Sequence, residues 1–196
     1  SWLQSFEGDL DTTHIGFLHF GHVQAEDVEP RSMDYYTLKR YEAFQAAAEY
    51  VARAFAGHPS VRRVALFGSV ASAPTVEIGR RRRVHLQQPK DTDLAVWLDP
   101  VTGLNELRQL SAKALQWLWQ DKELGVAHHQ VDIFLFNTTG TYVGRLCHFN
   151  ECPKHKPECR VPRCGEVPFL QQHEDFEFDS AEALRPGRIH VLFERH

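Results

Sequence analysis

Val-Ala-Leu-Phe-Gly-Ser at residues 64–69 and Asp-Thr-Asp-Leu-Ala-Val-Trp-Leu at residues 91–98 are the two stretches that decide the fold. The first is a short apolar run that ends in a Gly-Ser turn, a pattern typical of a strand buried on both faces. The second begins with two carboxylates one residue apart, and alternate positions of a strand point to the same face. Since glycine lets backbone N–H groups approach a phosphate and Mg²⁺ prefers oxygen ligands, the pair indicates a phosphate-binding turn beside a metal site.

Helical patterns flank these two stretches. From Asp34 onward, apolar residues spaced by three or four predict a helix that ends at residues 57–59, Gly-His-Pro. Asp99 is expected to be the N-cap of a second helix with Pro100 in its first turn, and Gly125 is expected to end that helix.

Further strands are predicted at residues 130–136 and 189–193, and a hairpin-like insertion at residues 75–90 separates the two deciding stretches. The order helix, strand, insertion, strand, helix, strand predicts an α/β (α+β) fold, a mixed sheet flanked by helices. We therefore expect an N-terminal extension at residues 1–32, a core at residues 33–140 and a cysteine-rich C-terminal lobe at residues 141–196.

Three features, taken in order, resemble the nucleotidyltransferase superfamily that includes DNA polymerase β, kanamycin nucleotidyltransferase and the minimal nucleotidyltransferases. They are a strand that ends in Gly-Ser, an Asp-x-Asp motif that opens a hydrophobic strand, and Asp132 inside a later hydrophobic strand. The resemblance covers about residues 34–137. Each motif alone has little specificity, but the three in this order and strand context are more specific.

The resemblance implies a role for each matching residue. Gly68 and Ser69 are expected to hold a triphosphate, Asp91 and Asp93 to bind two Mg²⁺ (or Mn²⁺) ions, and Asp132 to bind the catalytic ion and help deprotonate an acceptor hydroxyl. The implied enzyme moves a nucleoside monophosphate from an NTP to a hydroxyl of a small molecule, a protein or an RNA end, and releases pyrophosphate. Asp91 follows Ser69 by 22 positions, more than is usual in this superfamily, and no Arg-Gly follows the serine.

Ordinary structural roles are the alternative for the same residues. Asp91 could be a turn residue, and Asp93 and Asp132 could be strand-end or paired surface charges. Asp132 lies in an apolar run, however, where burial without a cation or partner is costly. His128 and His129 precede that strand and are expected either at the rim of the site or exposed to solvent.

The four cysteines, Cys147, Cys152, Cys159 and Cys164, lie in one proline-rich window, with His148 and His155 between them. Four thiolates, or three with one histidine, satisfy tetrahedral Zn²⁺, so we expect a structural zinc site that staples the C-terminal lobe. Two disulfides or buried thiols are the alternatives.

Composition limits the classes of function. The chain has 196 residues, 42% of them hydrophobic, and a formal net charge of −4, which argues against a surface that is basic throughout and traps nucleic acid. No apolar run approaches the roughly 20 residues of a membrane span, and the first residues lack a secretory pattern, so we expect a cytoplasmic protein with no membrane partner. Four arginines at residues 80–83 suit either a solvated loop or a phosphate contact. A non-catalytic, zinc-containing module that binds nucleic acid or protein is the second hypothesis.

Overall fold

The computed structural model describes residues 33–72, 76–78, 84–86, 88–149, 152, 167–172 and 178–195. The expected N-terminal extension at residues 1–32 and the four arginines at residues 80–83 lie outside the described residues.

The described elements are two long helices, a set of strands and a few short turns of helix. In chain order they are α1 (Met33–Ala56), β1 (Val61–Phe67), a 3₁₀ turn (Gly68–Val70), β2 (Val76–Ile78), β3 (Val84–Leu86), β4 (Thr92–Leu98), α2 (Leu104–Lys122), a 3₁₀ turn (His128–Gln130), β5 (Val131–Phe136), β6 (Tyr142–Leu146), β7 (Leu170–Gln171), α3 (Ser180–Ala183) and β8 (His190–Glu194). None of the helices in the described part is both long and apolar enough to cross a membrane.

Six of the strands form one mixed sheet in the order β7-β6-β5-β4-β1-β8. β4 and β5 are parallel, and the other neighbouring pairs are antiparallel. The prediction of a mixed sheet with helices is confirmed. β2 and β3, which lie within the expected insertion at residues 75–90, form a separate antiparallel pair. Strands from both sides of residue 140 belong to the main sheet, so main-chain hydrogen bonds join β6, β7 and β8 to the strands that precede them.

The two faces of the sheet are packed differently. Residues such as Val64, Leu94 and Ile133 point toward α1 and α2 and form the larger core with them. The alternate residues form a second cluster on the opposite face, which we call the aromatic face; its buried members are Phe67, Ala95, Phe134 and Phe136. Phe178 packs against Phe67, Phe134 and Phe136 on this face, with ring centroids 5.3–5.8 Å away.

Two local predictions were wrong. The second helix begins at Leu104 after Gly103, not after Asp99, because the backbone N–H of Asp99 donates to the carbonyl of Ser60 (2.7 Å) and holds Asp99 in the turn that follows β4. The second departure is β6, which was not among the predicted strands. This strand has only five residues and includes a glycine and an arginine, so its sequence carries a weak strand signal.

Candidate active site

Strand register brings the predicted site residues to one edge of the sheet. Phe67, the last residue of β1, is the partner of Asp93 in β4, and Asp93 is the partner of Asp132 in the parallel strand β5. Gly68 and Ser69, which we call the Gly-Ser turn, therefore follow β1 at the point where β4 and β5 begin. Asp91 lies just before β4, one residue from Thr92.

Asp91, Asp93 and Asp132 are called here the carboxylate cluster, and Asp93 and Asp132 lie on the aromatic face. Asp93 alternates with Leu94 and shares its face with Ala95, and Asp132 shares its face with Phe134. Directly paired residues on neighbouring strands project to the same side, so the carboxylates of Asp93 and Asp132 are neighbours. All three aspartates are partly buried, and the side chain of Asp132 is only 18% exposed.

Gly68 allows Asp93 to approach the backbone of the Gly-Ser turn. The φ angle of Gly68 is 74°, in the left-handed region, and a Cβ at this position would overlap the carboxylate of Asp93. A glycine is thus required by both the backbone conformation and the contact. Gly68 and Ser69 are themselves exposed, which leaves the turn accessible to a ligand.

Hydrogen bonds from distant parts of the chain hold the two residues that directly follow the Gly-Ser turn, and also the start of β4. Gln45 Nε2 of α1 donates to the carbonyl of Val70 (3.3 Å), and His190 Nε2 of β8 donates to the carbonyl of Ala71 (2.7 Å). Thr92 is fully buried, and its hydroxyl donates to the carbonyl of Phe44 in α1 (3.1 Å). The first helix therefore holds both halves of the site.

Two cationic or ionisable side chains lie beside Asp132. Arg145 Nη1 in β6 is 3.1 Å from Asp132 Oδ2, and His148 Nε2 is 3.6 Å from Asp132 Oδ1. His148, considered above as a zinc ligand, thus lies next to the carboxylate cluster. Its ring contacts that of His128, with centroids 5.1 Å apart in an edge-to-face arrangement.

The pKa values show that negative charge is poorly compensated in the cluster. Burial, followed by the negative charges of Asp91 and Asp132, raises the pKa of Asp93 to about 7. Burial and the charge of Asp132 also raise the pKa of Asp91. For Asp132, burial opposes ionisation, but the contact with His148 and the charge of Arg145 outweigh it and lower the pKa. At neutral pH, Asp132 is therefore ionised while Asp93 is partly protonated.

His128 is held in its neutral form. Burial, the neighbouring His148 and the charge of Arg108 lower the pKa of His128 to about 4. Its Nε2 atom is buried and makes no hydrogen bond within the described residues. Of the two alternatives for the histidine pair, His128 lies inward against His148, whereas His129 is exposed.

The donor atoms of the carboxylate cluster are of the type that Mg²⁺ or Mn²⁺ binds, and burial together with the two neighbouring carboxylates raises the pKa of Asp93. In chemical type the residues therefore fit a divalent cation. Within the described ranges, however, no three His, Cys, Asp or Glu side chains are grouped closely enough to hold a metal ion. The aspartates therefore lie at the same edge of the sheet, but their side chains are not grouped closely enough to coordinate a cation.

The cysteine window is described only in part. Cys147 is buried, Cys152 is partly buried, and they are not disulfide-bonded to each other. Both lie beside the segment that leads into β7: the N–H of Phe169 approaches Cys152 Sγ (3.3 Å), and Gln171 Nε2 approaches Cys147 Sγ (3.8 Å). Cys159, Cys164 and His155 lie outside the described residues.

Sequence reasoning missed three residues that shape the site: Arg145, Gln45 and His190. An isolated arginine or histidine carries no signal of its own until the pairing of strands is known. The run of Tyr142, Val143 and Leu146 around Arg145 is a weak strand pattern that could have placed Arg145 on the sheet.

A scan of the chain against protein-family models finds no match, and no curated protein matches it significantly. Inference about function therefore depends on the chemistry of the site itself.

Proposed function

We propose that this chain is a metal-dependent nucleotidyltransferase, which transfers a nucleoside monophosphate from an NTP to a hydroxyl acceptor and releases pyrophosphate. The observation that carries the proposal is the direct register of Phe67 with Asp93 and of Asp93 with Asp132, which joins the Gly-Ser turn to the carboxylates. The resemblance to the nucleotidyltransferase superfamily was noted from the order of the same residues, and their meeting at one edge gives it support in three dimensions.

The three aspartates are the residues that would hold Mg²⁺ or Mn²⁺. The bound ion would neutralise charge on the triphosphate and polarise the phosphorus that is attacked. Asp93 has a pKa of about 7, so its ionised form would be stabilised most by a bound cation, because a nearby positive charge favours ionisation of a carboxyl group. Asp132 is already ionised, so it is the carboxylate available to accept a hydrogen bond from the acceptor hydroxyl.

The Gly-Ser turn would bind the phosphates. Gly68 exposes backbone atoms without a side chain, and the Ser69 hydroxyl is exposed next to it. Because Gln45 and His190 hold Val70 and Ala71, which directly follow the turn, the N–H groups of the turn need little reorganisation when a ligand arrives. Such preorganised donors are suited to an oligophosphate, whose charge is spread over several oxygens.

A labelling experiment tests this proposal. The purified protein is incubated with each α-³²P-labelled NTP, Mg²⁺ and a cell extract as the source of acceptors. We expect label to move from one NTP to an acceptor, with release of pyrophosphate, and EDTA to stop the transfer. Absence of transfer from all four NTPs, together with salt-dependent RNA binding, would contradict the proposal and favour the hypothesis of a binding module. Calorimetric binding of a non-hydrolysable NTP analogue with Mn²⁺ provides an independent measurement.

We also propose a structural zinc site formed by Cys147, Cys152, Cys159 and Cys164. The support is that the two cysteines within the described residues lie beside one short segment, where a backbone N–H points at the sulfur of Cys152. Four cysteine sulfurs are a ligand set that structural zinc sites use.

Metal analysis of the purified protein tests the zinc site. We expect about one zinc per chain, and its loss in Cys152→Ser together with a lower melting temperature, because binding of a structural zinc ion contributes directly to the stability of the fold. A chain without zinc whose thiols react freely under native conditions would contradict the proposal.

A further inference from the structure

Arg145 is the positively charged side chain built into the carboxylate cluster. Its guanidinium is 3.1 Å from Asp132, with side chains 30% and 18% exposed, respectively. Arg145 is also the strand partner of Phe134, and its Cζ lies 5.7 Å from the centre of that ring. The aromatic ring and the ion pair together hold the guanidinium over the edge where the aspartates meet.

The charge of Arg145 acts on all three aspartates. It favours the ionised form of Asp91, of Asp93 and of Asp132, so the guanidinium is close enough to each of them to matter. Lys90 and Arg40 act on Asp91 as well. Among the described residues, Arg145 is the cation that favours ionised Asp93, and it does so incompletely, because the pKa of Asp93 remains about 7.

We propose that Arg145 is an exchangeable counter-ion of the site: its guanidinium occupies the place of a divalent cation beside Asp132 in the metal-free protein, leaves that place when the metal binds, and then contacts the triphosphate. This inference rests on the proposed function. The planar guanidinium forms paired hydrogen bonds with carboxylate and phosphate alike, so the same group serves both partners.

A purely structural ion pair predicts a different result. If Arg145 only tied β6 to β5, its removal would lower stability and leave metal affinity unchanged or weakened. If Arg145 competes with the metal, its removal must strengthen metal binding while it weakens nucleotide binding. The two affinities then change in opposite directions, a result that loss of structure does not produce.

The experiment measures Mn²⁺ binding to the full chain by calorimetry, without nucleotide, for the wild type and Arg145→Met. We expect Mn²⁺ to bind roughly three- to tenfold more tightly to the variant, the range expected when one partly exposed competing charge is removed. Affinity for a non-hydrolysable NTP analogue, measured with saturating Mn²⁺, is expected to fall roughly tenfold. Arg145→Gln is the second variant, with the same expected changes, in case methionine prevents folding.

Arg63→Met is the matched control. Arg63 is 33% exposed, lies with its Cζ 5.0 Å from the centre of the Trp97 ring and faces Glu194 at 3.7 Å, so it has the same kind of surroundings in β1 without an aspartate of the cluster. We expect it to change neither affinity by more than about twofold. Mn²⁺ binding that Arg145→Met leaves unchanged or weakens would overturn the role of Arg145 alone. Absence of Mn²⁺ binding to the wild type and both Arg145 variants would overturn the metal site and this inference together.

Discussion

Asp93→Asn is expected to stabilise the metal-free protein at pH 8 and, at the same time, to abolish nucleotide transfer. In the folded chain, burial and the charges of Asp91 and Asp132 raise the pKa of Asp93 to about 7, well above that of an aspartate in an unfolded chain. A raised carboxyl pKa means that ionisation opposes folding. The cost is absent below about pH 4, grows as the pH rises toward 7 and is complete above pH 7. We expect it to reach the order of 2 to 4 kcal/mol at pH 8, and asparagine removes it.

The activity of Asp93→Asn is expected to fall at least about a thousandfold, which corresponds to about 4 kcal/mol of transition-state stabilisation. An amide cannot replace the charge that a divalent ion requires. Stability is measured by urea unfolding with EDTA at pH 4 and pH 8, and transfer is measured with labelled NTP.

Asp99→Asn is the control for Asp93→Asn, because Asp99 is an exposed aspartate that follows the other end of the same strand. It is expected to leave both the stability difference between the two pH values and the rate of transfer unchanged. An Asp93→Asn protein that is less stable than the wild type at pH 8, or equally stabilised at both pH values, would show that the carboxylates do not repel one another as described.

Gly68→Ala is expected to eliminate nucleotide binding and to destabilise the fold by roughly 2 to 4 kcal/mol. Two causes contribute. An alanine at φ 74° lies in the left-handed region, which costs about 1–2 kcal/mol, and its Cβ would overlap the carboxylate of Asp93. Relief of that overlap must move either the turn or the aspartate, and both belong to the site. Urea unfolding and calorimetry with an NTP analogue measure the two effects.

Gly140→Ala separates the two causes. Gly140 has a φ angle of 81°, but an added Cβ would meet no atom within 4 Å, so this variant carries only the backbone cost and is expected to bind nucleotide normally. In an Asp93→Ala background, Gly68→Ala should lose the part of its cost that comes from the overlap. If Gly68→Ala is no more destabilising than Gly140→Ala and still binds nucleotide, the close approach of the turn to Asp93 is unimportant.

The parts of the fold that could be predicted from sequence are those with strong local patterns. α1 carries a sustained helical period, and β1, β4 and β5 are apolar runs with the profile of buried strands, so both helices and these three strands were placed within a few residues. The C-terminal strand β8 was also placed. β6 was missed because its five residues, which include a glycine and an arginine, carry a weak strand signal, and its order comes from pairing with β5.

In the candidate site, too, some features could be predicted from local sequence patterns and others depend on strand pairing. Asp91 and Asp93 could be placed together because they are two positions apart at the start of one predicted strand, and Asp132 because it interrupts an apolar run. Which face the aspartates share and which residues oppose them depend on register, and register decided that Arg145 lies beside Asp132. The glycine in the sequence suggested the role of the Gly-Ser turn. The close approach of Asp93, which explains why this residue must be a glycine, is visible only in the structure.

The hydrogen bond from His190 to the carbonyl of Ala71 spans 119 positions of the chain, and β8 pairs with β1 over a similar separation. During synthesis, a chain that has emerged only as far as β5 already contains the turn and all three aspartates, but it lacks the last strand that holds the turn. The site is therefore completed late, when its carboxylates are already close together. Such long-range closure slows folding, and it makes His190, the first residue of β8, part of the proposed nucleotide site although it is far from the rest of that site in sequence.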